Sequence, residues 1–322
     1  MSSLDQIDHP SAKRSIYELI GDPKATQLLP SLTIIVKELE SLMGKQNVMI
    51  DEISSIIRND QSMAVRVLRM ANSAYFAPAQ PIVDLDHAVV YLGLNQIRST
   101  ILTARCIEKS CDTPKDLLDW NDFWTHSVAV GYIMKILSGS VQELDANGEY
   151  FYSMGLFHDI GKLALAYLSP SDFILVLELA RDRHVPTSSV ETELLGLDHA
   201  GLGAWYLQHQ GLPSNLVEPI RLHHAWEKVD PSKNKNAVML SLADRLAHLM
   251  GFGKSGGEAD SSDPFASREW DLYCERCFGT TVDSRFHMAH IMEKMESVED
   301  LIHVTVGSAK AAKDDAPAPA AS

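Results

Sequence analysis

Residues 155–163 read Gly155-Leu156-Phe157-His158-Asp159-Ile160-Gly161-Lys162-Leu163, an adjacent histidine and aspartate inside an apolar, helix-like stretch. Burying an imidazole beside a carboxylate is costly unless each is paired or coordinated, and a divalent cation satisfies both at once. Taken alone, such a pair is far more often a hydrogen-bonded structural contact at a helix end. Its company in the chain decides between the two readings.

Upstream, His126 sits in Phe123-Trp124-Thr125-His126-Ser127-Val128-Ala129-Val130, whose apolar residues recur at helical spacing. Downstream come His199 in Leu197-Asp198-His199-Ala200-Gly201, the doublet His223-His224, and Asp244 in Ser241-Leu242-Ala243-Asp244-Arg245-Leu246. Each lies in or beside an apolar-flanked helical segment. Together they supply enough nitrogen and oxygen donors for two cations of mixed ligation.

The order His126, His158-Asp159, Asp244 resembles the H…HD…D signature of the HD superfamily of metal-dependent phosphohydrolases. His199, His223 and His224 are similar to the extra histidines with which the HD-GYP branch, hydrolases of cyclic di-GMP, holds a second metal. Lys162 matches the lysine that follows that branch's HD pair and resembles a phosphate contact. The doublet here continues Ala225-Trp226-Glu227-Lys228, with no Gly-Tyr-Pro beside it, a departure that points away from cyclic di-GMP hydrolysis. Asn59-Asp60-Gln61-Ser62, Leu68-Arg69-Met70-Ala71-Asn72-Ser73-Ala74-Tyr75-Phe76 and His87-Ala88-Val89-Val90-Tyr91-Leu92-Gly93 resemble successive blocks of the HDOD family, HD-related output domains of bacterial signalling proteins. Leu212-Pro213 and the Ile220-to-His224 run extend the likeness, which covers roughly residues 25 to 250. Members of that family act mostly as regulatory or interaction modules, many having lost the metal ligands that this chain retains.

The resemblance implies that His126, His158, Asp159 and Asp244 hold one cation and that His199, His223 and His224 hold a second, with Asp159 as a bridge. Such a pair activates a bridging water and clamps an in-line phosphoryl displacement. Asp159 and Lys162 are then the catalytic residues, with Arg221 or Arg245 as helpers. Nitrogen-rich ligation favours iron, manganese or zinc, one or two ions, over magnesium.

The chain has 322 residues, 45% of them hydrophobic, enough for a sizeable core. Its net charge of −15 opposes the counterion-release attraction behind most nucleic-acid binding, so no direct nucleic-acid contact is expected. No apolar run approaches the ~18 residues that span a bilayer. The opening Met1-Ser2-Ser3-Leu4-Asp5-Gln6-Ile7-Asp8 lacks a basic region followed by an apolar core, so no membrane contact and a cytoplasmic location are expected. Cys106, Cys111, Cys274 and Cys277 are expected to be reduced thiols, since one Cys-x-x-Cys without a second pair is weak evidence for a thiolate site.

Helical spacing dominates and predicts an all-α, multi-helix HD-domain-like bundle with an N-terminal helical HDOD subdomain. Leu32, Ile35, Val36 and Leu39 share one helix face after Ser31; residues 47–57 and 61–71 are short helices; helices resume near Leu85 and carry through His126. Residues 138–150 and 230–236 are expected as surface connections, and helices return over 268–277 and 284–301. The expected divisions are an N-terminal segment 1–24, the helical HDOD part 25–112, a metal-binding core 113–253, a helical extension 254–306 and a disordered tail 307–322. Gly251-Phe252-Gly253-Lys254-Ser255 lacks the first glycine of a phosphate-binding loop and is expected as a plain loop. Trp205, Tyr206 and Trp226 fit either core or a ligand pocket. His9, His87, His184, His209, His248, His287, His290 and His303 fall in no metal block and are expected not to ligate.

Two functions follow. One is a bacterial intracellular signalling module that docks a partner protein, with a regulatory metal site; the other is a metal-dependent phosphohydrolase acting on a nucleotide or cyclic dinucleotide. The HDOD blocks and the missing Gly-Tyr-Pro favour the first. A signalling protein or a phosphate-containing small ligand is the expected partner.

Overall fold

Trp120–Gly139 is the helix around which the others assemble, and its sequence explains why: apolar residues surround it, so it has no face to give to water. The structure is a computed structural model that describes residues 16–21, 29, 54, 57–58, 60–110, 117–139, 149–253, 256, 263–278 and 284–314. Among these the regular elements are all helical. In chain order they are α1 (Ile16–Gly21), α2 (Gln61–Ala71), α3 (Leu85–Leu92), α4 (Leu94–Ser110), α5 (Trp120–Gly139), α6 (Glu149–Phe157), α7 (Ile160–Leu168), α8 (Pro170–Arg183), α9 (Thr187–Leu195), α10 (His199–His209), α11 (Ser214–Leu222), α12 (Lys235–Leu249), α13 (Arg268–Phe278) and α14 (Ser284–Asp314). The expected all-α class is what is found. The helices expected over 32–39 and 47–57 lie wholly or mostly outside the described residues.

The starts of α2, α3 and α10 are written in the sequence as aspartates. Asp60, Asp84 and Asp198 each accept a bond from a backbone N–H in the first turn, at 3.0, 2.8 and 2.9 Å. Such caps satisfy donors that the helix cannot, and each contributes about 1 kcal/mol. Asn72 closes the loop between α2 and α3. Its side-chain amide donates to Ile82 O and accepts from Ile82 N, both at 2.8 Å, so one residue serves as a short ladder across ten positions of chain.

One continuous apolar core runs from α2 through α5 to α14. Around α5 are arranged α6, α12 and α14, and α7 crosses α10. α14 also reaches α2 and α4, tying the N-terminal helices to the central one. Its buried Ile291, Met295, Val298, Ile302 and Thr305 follow helical spacing along one stripe. This helix continues to Asp314, past position 307 where the tail was expected, because the Ala- and Lys-rich stretch is poor in bulk but good in helix propensity. Among the described residues no helix is long and apolar enough to cross a membrane.

Candidate metal centre

The histidine–aspartate pair is not inside a helix. α6 ends at Phe157, His158 and Asp159 form a turn, and α7 begins at Ile160. Asp159 takes the N-cap position of α7, yet its carboxylate does not cap the helix and turns inward instead. Two glycines flank this turn, and both are places where another backbone passes too close for a side chain. A Cβ on Gly155 would lie 2.4 Å from Gly131 N of α5, and one on Gly161 would lie 1.9 Å from His199 O at the start of α10. The first contact brings the turn to the helix of His126, the second to His199.

His126, His158, Asp159, His199, His223, His224 and Asp244 are thereby gathered into one cluster, in overlapping groups whose ligand atoms lie within 4.8 Å of one another. The imidazoles are held in one pattern. His126 Nδ1 donates to Phe252 O (3.2 Å), His158 Nδ1 to Gly155 O (2.7 Å), His223 Nδ1 to Ile220 O (2.7 Å), and His199 Nδ1 bonds Glu191 Oε2 (2.6 Å). Every one of these rings therefore presents Nε2 to the centre. His126 Nε2 reaches Asp244 Oδ1 at 2.9 Å and His199 Nε2 reaches Asp159 Oδ1 at 3.0 Å. His158 Nε2 and His223 Nε2, both buried, have no hydrogen-bond partner among the described residues, and carboxylate oxygens of Asp159 and Asp244 lie 3.5 and 3.7 Å from His158 Nε2. His224 has an exposed edge, and its Nε2 is 2.9 Å from that of His199.

A buried polar atom left without a partner is expensive, and a ring locked by its other nitrogen with Nε2 bare is how proteins present histidine to a cation. Asp159 sends Oδ1 toward His199 and Oδ2 toward His158 and Lys162, one oxygen to each half of the cluster. The donor set fits a transition metal.

Burial works against ionisation of Asp159, but His158, Lys162 and His199 overcome it and hold the carboxyl well below the usual range. Asp244, also desolvated, is held down by its hydrogen bond with His126 and by the nearby His158 and His248 imidazoles. Burial lowers the His199 pKa, and the charges of Glu191 and Asp159 outweigh it, raising the value to about 10. His223 moves the other way, to about 4, through burial and repulsion from His158 and His199. Desolvation of its ring nitrogens, followed by repulsion from His223, also holds His224 well below its usual value despite its exposed edge.

Lys162 is buried and donates from Nζ to Asp159 Oδ2 at 2.8 Å, so it enters the centre through the carboxylate. Of the two arginines expected as alternative helpers, Arg221 bonds Glu218 and Arg245 bonds Glu269, each a carboxylate outside the cluster. Tyr206 and Trp226 are buried core residues, and Trp205 packs against His209. Cys106 is a buried cysteine outside any disulfide, and Cys111 and the side chain of Cys277 lie outside the described residues.

Two residues at the centre carry no sequence expectation of a role there. Glu191, fully buried on α9, accepts from both the backbone N (2.7 Å) and Nδ1 of His199. His248 on α12 stacks on His126, ring centroids 4.4 Å apart at 29°, and its Nε2 is 3.4 Å from Asp244 Oδ1. His248 was expected not to ligate, although the spacing from Asp244, one helical turn, is the signal that could have found it; nothing short of the fold places Glu191 against His199.

The family model of the HDOD domain matches residues 29–226. The chain belongs to the HDOD family. Asp244 and His248 lie beyond the matched stretch, on α12. A curated relative, an uncharacterised protein of Treponema pallidum (strain Nichols), is 25% identical over 201 residues, which is 61% of this chain and 37% of that protein. The chain thus spans about a third of that relative's length. Among solved structures, an HDOD domain protein of unknown function from Geobacter sulfurreducens superposes with a TM-score of 0.73 at 22% identity, covering 90% of this chain and 99% of the other. A Shewanella amazonensis SB2B protein described provisionally as a phosphohydrolase gives 0.65 at 22% identity, over 92% and 99%. A Marinobacter aquaeolei VT8 protein described provisionally as a signal transduction protein gives 0.60 at 20% identity, over 93% and 62%. At these identities the likeness carries the HDOD fold alone.

Proposed function

We propose that this HDOD protein is a signalling module built on a transition-metal centre, in which His126, His158, Asp159 and Asp244 hold one cation and Asp159, His199, His223 and His224 a second. The observation that carries the reading is the bare Nε2 of two fully buried histidines, each ring locked by its own Nδ1 bond. Iron, manganese or zinc fits this donor set, and magnesium, which prefers oxygen, does not. The module's output is association with a signalling protein. The Marinobacter neighbour's description as a signal transduction protein supports this reading by analogy of fold.

A second reading is favoured by one feature, the edge of the cluster that opens to solvent at His224. A phosphate oxygen of a nucleotide or cyclic dinucleotide can approach there, and bound cations would supply an activated water and charge neutralisation for hydrolysis. In that reading Asp159 holds its place between the two halves, and Lys162, which pairs with it, balances negative charge. The description of the Shewanella neighbour as a phosphohydrolase supports it in the same limited way.

Metal-loaded protein, wild type and Lys162→Ala, assayed against nucleotides, cyclic dinucleotides and a generic phosphodiester, separates the two. The module reading expects no turnover above free metal and partner binding that survives Lys162→Ala. Hydrolysis at an enzymatic rate that falls at least tenfold in Lys162→Ala, with metal retained, overturns it in favour of the enzyme.

A further inference from the structure

His248 lies at the half-buried edge of the centre, four residues after Asp244 on the same face of α12. Its Nε2 is 3.4 Å from Asp244 Oδ1, and that same oxygen bonds His126 Nε2 at 2.9 Å. The rings of His126 and His248 stack, with centroids 4.4 Å apart, so two imidazole edges lie side by side over one carboxylate oxygen. His126, Asp244 and His248 can each place a ligand atom within 4.8 Å of the others. Two imidazoles and one carboxylate are the donor types of a facial set selective for first-row transition metals.

An i,i+4 His–Asp pair near a helix end is often only a surface contact. Here the His248 side chain is 16% exposed, and its ring packs on a histidine whose Nδ1 is already committed to Phe252 O. We propose that His248 is a further metal ligand, adding a nitrogen to the cation held by His126, His158, Asp159 and Asp244. With Nδ1 committed to Phe252 O, His126 can offer only the single lone pair of Nε2 and so serves one cation, and His248 joins that cation and does not found a third. The inference rests on the metal reading of the cluster.

Titration with Co²⁺ in competition with a chelator, followed by absorption in the visible range, tests it with wild type, His248→Ala, His248→Gln and the exposed His209→Ala as control. Loss of a nitrogen donor should weaken one class of Co²⁺ site by about tenfold or more and shift its ligand-field bands, in both His248 variants and not in His209→Ala. His248→Gln retains bulk and polarity, so the question stays answerable if the alanine variant folds poorly. Wild-type affinity and spectrum in both His248 variants would overturn the proposal and leave the rest of the centre standing. Absence of any Co²⁺ binding by wild type would overturn the centre and this proposal with it.

Discussion

Glu191 and Lys135 show how much a single side chain decides here. Glu191 fixes His199 through two bonds, and a buried partner of this kind is worth roughly 10- to 100-fold in metal affinity. Glu191→Ala is therefore expected to lower affinity by that factor in a chelator competition, with the helical circular dichroism unchanged; wild-type affinity would mean that packing alone orients the ring. Lys135 is a cost. Its Nζ donates to Gln96 Oε1 at 3.0 Å and lies about 6 Å from the ring centres of Tyr132 and Tyr152, and burial lowers its pKa from 10.5 to about 8. Between those two values the unfolded chain binds more protons than the folded one, so stability rises with pH there, and the penalty is complete below about 8. Lys135→Met should stabilise the protein at pH 7 by about 1 to 3 kcal/mol, a gain that shrinks as pH climbs toward 10.5. Urea unfolding at pH 7 and at the alkaline end of that window reads the difference, and an equal or growing gain at alkaline pH would contradict it.

At the scale of elements, the turn between α6 and α7 is held by what its neighbours lack. Gly161→Ala sets a methyl group 1.9 Å from His199 O, where backbone and not a flexible side chain must yield. Overpacking of this kind costs about 1 to 3 kcal/mol, and it should separate Asp159 from His199. The expected outcome is a lower unfolding midpoint together with weakened metal binding; a variant that loses stability but binds metal as wild type would show that the crossing of α7 and α10 does not build the centre. The helices themselves were legible, because apolar residues recur at helical spacing, as from Phe123 to Val130 on α5. The break at His158-Asp159 was not, since apolar residues flank the pair on both sides between Gly155 and Leu163 while the backbone turns. Likewise His223 and His224 could be picked out as a doublet, whereas Glu191 meets His199 only once α9 and α10 fold against each other. Tertiary contacts have no local signature.

For the whole molecule, α14 is the element that makes the N-terminal helices and the metal-bearing core one body, since it lies against α2, α4 and α5 together. Leu301 on it is fully buried. Leu301→Ala should cost about 2 to 5 kcal/mol and keep a single unfolding transition. An early transition that leaves metal bound would instead mean that the two parts fold separately. The central claim concerns the cluster that this assembly encloses, and metal analysis of protein purified without chelators tests it most directly. The account predicts roughly one to two equivalents of iron, manganese or zinc per chain in wild type and none in the His158→Ala, Asp159→Ala double variant. Metal-free wild-type protein, or a double variant that keeps its full complement, would contradict it.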